Sequence, residues 1–95
     1  RSVFFECDAP PTWKVVEAHD HEPNGYFWEG VANWLISQGL APEVSMDPES
    51  SMFSAQGTPA ELDAFLTALA PYLVEDDTLA TLIEEADAAG HDFDD

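Results

Sequence analysis

The stretch "SVFFECDAPPTWKVVEAH" spans Ser2 to His19, and whether it holds one strand or two decides how large a sheet this chain can build. Ser2 to Asp8 is rich in β-formers and reads as a strand. In Ala9–Thr12, Pro10 and Pro11 withhold backbone donors and fix φ, which marks a turn. From Trp13 to His19 an extended chain places Trp13, Val15 and Glu17 on one side and Lys14, Val16 and Ala18 on the other. The expectation is therefore a hairpin. Cys7 is the chain's one cysteine. It can form no internal disulfide, reads as a small core residue, and fits a reducing cytoplasm.

Working outward, "EPNG" (Glu22–Gly25) breaks the chain, and Asn24 is placed to cap a helix from about Gly25 to Gln38. Phe27, Val31, Trp34 and Leu35 recur at helical spacing, with Trp28 and Ala32 widening the stripe. Gly39 occupies the position of a left-handed C-terminal stop. Gly30, inside the helix, costs up to about 1 kcal/mol relative to alanine, so close packing against the sheet is expected there. Glu43 to Gly57 reads as a second hairpin. In it Val44 and Met46 alternate, "DPES" (Asp47–Ser50) turns the chain, and Met52 to Gln56 returns. Thr58 and Glu61 form a capping box with Pro59 at the first helical position. Leu62, Phe65, Leu66, Leu69 and Leu73 make the buried stripe, and Pro71 ends or kinks the helix. A last helix, capped by Asp76 or Asp77, buries Leu79, Leu82, Ile83 and Ala86 and stops at Gly90.

The predicted order is ββαββαα, an α+β fold with an antiparallel four-stranded sheet and helices packed on one face. Residues 1–90 form a single domain, and 91–95 a flexible acidic tail. The chain has no apolar run near the length of a membrane span and no signal-peptide pattern.

Charge is the strongest global signal. Twenty Asp and Glu face two basic residues, Arg1 and Lys14, for a formal net charge of -18. Such a surface repels nucleic acid and anionic membranes and attracts basic proteins. Two explanations stay open: a basic partner, or an acidic proteome.

Catalytic signatures are sparse. No serine sits in a nucleophile elbow, no glycine-rich loop carries a phosphate-binding lysine, and Cys7 lacks an activating context. Carboxylate pairs are expected by chance among so many acids, and a working dyad needs one of them in an apolar pocket. His19 and His21 would share a side at strand spacing and could hold a metal, but no third ligand follows at a recognisable spacing. The chain is accordingly read as a non-enzyme with no cofactor and no metal.

The remaining feature is aromatic. Tyr26, Phe27, Trp28 and Trp34 cannot all face the core from one helix. Phe27 and Trp34 are assigned to the core. Tyr26, Trp28 and Glu29 of the first helix, with Asp47 and Glu49 of the second hairpin, are the candidates for a partner-binding surface, since exposed aromatics in a negative field suit a basic protein.

At "GYFWEGVANWL" (Gly25–Leu35) followed by "MDPESSMFSAQG" (Met46–Gly57) the chain resembles the immunity protein 51 family of bacterial polymorphic toxin systems. The matching features are Gly25-Tyr26-Phe27-Trp28-Glu29-Gly30 opening a helix, the Asp47-Pro48-Glu49 turn leading to Met52-Phe53, and the Leu-rich helix beyond. They cover about His21 to Ala86. The resemblance implies a cytoplasmic antitoxin that binds and neutralises a cognate toxin domain and catalyses nothing. The acidity agrees, because steered association with a basic toxin can reach rates on the order of 10⁸–10⁹ M⁻¹s⁻¹. The alternatives are a small metal- or ligand-binding α+β protein using His19 and His21, an acidic DNA mimic, and an α+β domain with no toxin partner.

Overall fold

The computed structural model describes residues 2–7, 11–91 and 93. In chain order these form β1 (Ser2–Glu6), α1 (Trp13–Ala18), α2 (Gly25–Ser37), β2 (Ser45–Met46), β3 (Met52–Gln56), α3 (Pro59–Val74) and α4 (Asp76–Ala88). The class is α+β, but the sheet has three antiparallel strands in the order β1-β3-β2, which corrects the expected four. The missing strand is Trp13–His19, which is helical to Ala18. β1 therefore has no neighbouring strand in sequence to pair with. It pairs instead with β3, in a register running from Ser2 opposite Gln56 to Glu6 opposite Met52.

The expected second hairpin is present. Ser45 faces Gln56 and Met46 faces Ala55. Phe5, Phe53 and Ala55 mark the inward face of the sheet. There Phe5 meets Trp28 of α2 edge-on at 5.9 Å, and Phe53 stacks on Phe65 of α3 at 6.2 Å. On the outward face Phe4 is 70% exposed.

α1 follows from tertiary contacts rather than local signals. Six residues containing Val15 and Val16 fit a strand or a short helix equally by pattern. Burial of Val16 selects the helix, together with a hydrogen bond from the fully buried Thr12. Its hydroxyl donates to the carbonyls of Tyr72 at 3.0 Å and Leu73 at 3.2 Å, at the far end of α3.

Three helices end in the same way. After α2, Gly39 has φ +73°, its N–H bonds to Ile36 O, and the Leu40 N–H bonds to Leu35 O. After α4, Gly90 has φ +77°, with Gly90 N–H to Asp87 O and His91 N–H to Ala86 O. After α1, Asp20 takes the glycine position at φ +62°, with Asp20 N–H to Glu17 O and His21 N–H to Val16 O. Each is a Schellman motif, which satisfies the orphan carbonyls of a helix end and reverses the chain.

Beyond the reversal at Gly90 the chain returns to α2. Phe93 is 2% exposed. It stacks on Phe27 at 5.1 Å and meets the rings of His21 and His91 at 4.8 and 5.0 Å. Gly30 is what permits this: a Cβ there would sit 2.7 Å from Phe93 Cα. The close approach predicted at Gly30 is thus to the returning chain, not to the sheet. Asp92, Asp94 and Asp95 of the expected acidic tail lie outside the described residues.

The long helices follow their sequence signals closely. Asn24 Oδ1 accepts from the Phe27 N–H at 2.8 Å. Both bonds of the Thr58–Glu61 capping box form, and the carboxyl of Glu61 is held below its ordinary pKa by the backbone and hydroxyl of Thr58. Pro71 does not end α3, which continues to Val74. Glu75 stands at the N-cap of α4 without a side-chain capping bond, so Asp76 and Asp77 lie in the first turn rather than capping it. There they favour the positive end of the helix dipole. No described helix is long and apolar enough to cross a membrane.

Candidate functional site

The predicted partner-binding residues divide between surface and core. The Gly25 N–H donates to Glu49 O at 2.8 Å, which seats the Asp47–Ser51 turn on the first turn of α2. Only glycine fits at position 25, because a Cβ would clash with the carbonyl oxygens of Met52 and Glu49. The turn is itself braced. The Asp47 N–H bonds to Ser54 O at 2.9 Å, the Glu49 N–H to Met52 O at 2.8 Å, and Ser54 Oγ donates to Asp47 O at 3.0 Å. Two segments about twenty residues apart are thereby joined, with Asp47, Glu49 and Tyr26 exposed and Glu29 half-buried.

Trp28 is the exception, and its expected exposure is corrected. Its ring is fully buried, edge-on to Phe5 at 5.9 Å and to Phe27 at 5.2 Å. The inward arc of α2 is wide enough to take both Phe27 and Trp28, while Trp34 remains only half-buried. The Trp28 Nε1–H has no acceptor among the described residues, a cost the core absorbs through ring packing. Trp28 therefore shapes the surface from beneath and presents nothing to a partner.

Almost every described carboxylate is exposed; Glu29 is the exception. An acid–base dyad depends on an apolar pocket to drive its pKa values apart, and these exposed groups lack one. Lys14 is the only Lys or Arg among the described residues, and it lies over the Trp13 ring at 5.6 Å.

His19 and His21 do not converge on one point. Because Trp13–Ala18 is helical, the strand spacing that would align them is lost. His19 Nδ1–H donates to Val15 O at 2.9 Å, which turns Nε2 toward Glu84 at 3.2 Å. The Val15 carbonyl and then the Glu84 carboxylate raise the His19 pKa above its ordinary 6.5. His21 Nε2 lies 3.2 Å from Asp87. Both carboxylates stand in the C-terminal half of α4, where the helix dipole disfavours negative charge, so the imidazoles complement that end of the helix. Among the described residues no three His, Cys, Asp or Glu side chains gather as a metal site.

Sequence reasoning missed one surface. A groove of about 590 Å³ lies between the C-terminal half of α2, the end of α3 and α4. Its signal was available in Leu40, an apolar residue just past a helix-ending glycine. No protein-family model, no curated protein and no solved structure matches the chain.

Proposed function

We infer that this protein is a bacterial antitoxin that binds a basic toxin domain in the cytoplasm and blocks it by covering its surface, without catalysing a reaction. The observation that carries this reading is the braced turn on the first turn of α2. It collects Tyr26, Asp47 and Glu49, with Glu29 beside them, on a chain of net charge -18. Complementary charge speeds encounter and selects partners, and a neighbouring aromatic supplies contact area. The resemblance to the immunity protein 51 family supports the same reading, through the residues that build this surface: Gly25, Asp47, Pro48 and Glu49.

The test is co-expression with the toxin domain encoded by the adjacent reading frame, followed by binding kinetics with the purified pair. Rescue of growth and a salt-sensitive association rate are expected. Glu29→Lys with Glu49→Lys should slow association and flatten its salt dependence, as rim charges do. Unchanged affinity at low salt would place the partner on another face. Absence of rescue by the parent chain would end the antitoxin reading.

A further inference from the structure

We propose that the groove beside the C-terminal half of α2 is a docking site for an amphipathic basic segment of a partner protein, with apolar side chains entering the groove and lysines or arginines meeting its acidic residues. The proposal rests on the antitoxin reading for the partner's identity and extends it to a second contact.

The groove's lining is apolar and aromatic at Trp34, Leu40, Tyr72 and Leu82, and acidic at Asp77 and Glu85. Leu40 is 62% exposed, although its backbone is fixed by the bond to Leu35 O at 2.9 Å. Trp34 is held from one side by His91, with ring centroids 5.3 Å apart. The Trp34 ring and the Leu40 backbone are thus positioned before any partner arrives, which lowers the ordering cost of binding. Half-buried Trp and Tyr lining a depression are the residue types that anchor protein interfaces. An amphipathic helix laid in such a groove presents its i, i+3, i+4 and i+7 side chains to that lining.

Charge selects the occupant. No described Lys or Arg lines the groove, so cations must come from the partner. A second copy of this chain would set Asp77 and Glu85 against carboxylates of the same kind, and an anionic membrane would be repelled. The groove and the Tyr26–Glu49 surface lie toward opposite ends of α2, with Tyr26 about 12–18 Å from Trp34 and Gln38 at 1.5 Å per residue. One toxin domain can span that separation within a standard interface.

The probe is a fluorescein-labelled helical lysine peptide with leucines at i, i+3, i+4 and i+7, compared with a peptide of equal charge carrying serine for every leucine. Binding is read by anisotropy and mapped by amide chemical shifts on the whole chain. The leucine peptide should bind at least about tenfold tighter, the ratio that burial of one leucine supports. It should also shift the amides of Leu40, Thr78, Thr81 and Glu85. Leu40→Ser alters an exposed position and should remove that advantage while leaving the serine peptide's weak binding in place; Thr81→Arg fills the groove and sets a cation between Asp77 and Glu85, and should weaken both peptides. Equal affinities for the two peptides, or shifts that avoid the groove, would overturn the proposal. A toxin domain that rescues growth yet binds the parent and both variants equally would overturn it too, while leaving the antitoxin reading intact. Failure of rescue with groove binding retained would separate the two in the other direction.

Discussion

Both α1 and α3 begin at a threonine, and the two threonines work at different ranges. Thr58 caps its own helix: its hydroxyl accepts from the Glu61 N–H at 3.2 Å, and Glu61 reaches back to the Thr58 N–H at 3.0 Å. Thr12 makes no such bond to α1. Its hydroxyl crosses sixty residues of sequence to the end of α3. One helix is specified by its own first turn. The other exists because α3 and α4 supply its partners: the Tyr72 and Leu73 carbonyls for Thr12, Glu84 for His19 and Asp87 for His21.

The largest expected effect tests whether the C-terminal return belongs to that support. Phe93 touches His21, just beyond α1, as well as Phe27. Phe93→Ala should cost about 3–5 kcal/mol in denaturant unfolding, as for a buried phenylalanine, and should loosen the histidine segment with it. Unchanged stability would mean the return contributes nothing to holding α1.

Next comes Thr12→Val, which keeps the volume and removes the hydroxyl. Leaving the two α3 carbonyls without that donor should cost about 1–3 kcal/mol. Hydrogen exchange should then show α1 opening before α3. Thr58→Ala should cost about 1 kcal/mol, with its exchange effect confined to the start of α3. If the Thr12 variant proves the milder and the more local of the two, the contrast between the helices collapses.

Smaller still is Asp20→Gly. Asp20 holds a left-handed conformation that glycine adopts without strain, so thermal unfolding should show a gain of about 0.5–1 kcal/mol. The least effect is expected from His19→Gln, within about 1 kcal/mol for an exposed pair, and it should depend on pH. Because the folded His19 pKa lies above the ordinary 6.5, the stabilisation is fully present below that value and is lost as pH rises through the raised one. The margin of the parent over the variant should therefore shrink on going alkaline. A margin independent of pH would remove the Glu84 pair from the account of α1.

The candidate site divides along the same line. Tyr26, Glu29, Asp47 and Glu49 were legible because a helix start and a tight turn announce themselves within four residues. Their contact was not legible, since it depends on Gly25 accepting the turn's backbone at a distance where a Cβ would clash. Trp28 was misplaced because helical periodicity gives the direction of the buried stripe but not its width. That width is set by what lies opposite, here Phe5 on β1. The groove was invisible for a related reason: Leu40 is readable as a residue after a stop, but Tyr72 and Leu82 join it only when α3 and α4 fold back.

By itself the sequence determined α2, α3 and α4, the Asn24 and Thr58 caps, the glycine stops after α2 and α4, the β2–β3 hairpin and the strongly negative charge. Each of these is settled by hydrogen bonds and side-chain spacing within a few residues, or by composition alone. Only the tertiary structure decided that Trp13–Ala18 is a helix, that β1 pairs with β3, that Trp28 is buried, and that Phe93 returns to α2. Those choices turn on burial and hydrogen bonds between residues far apart in the chain, where the local pattern is equally satisfied by more than one outcome.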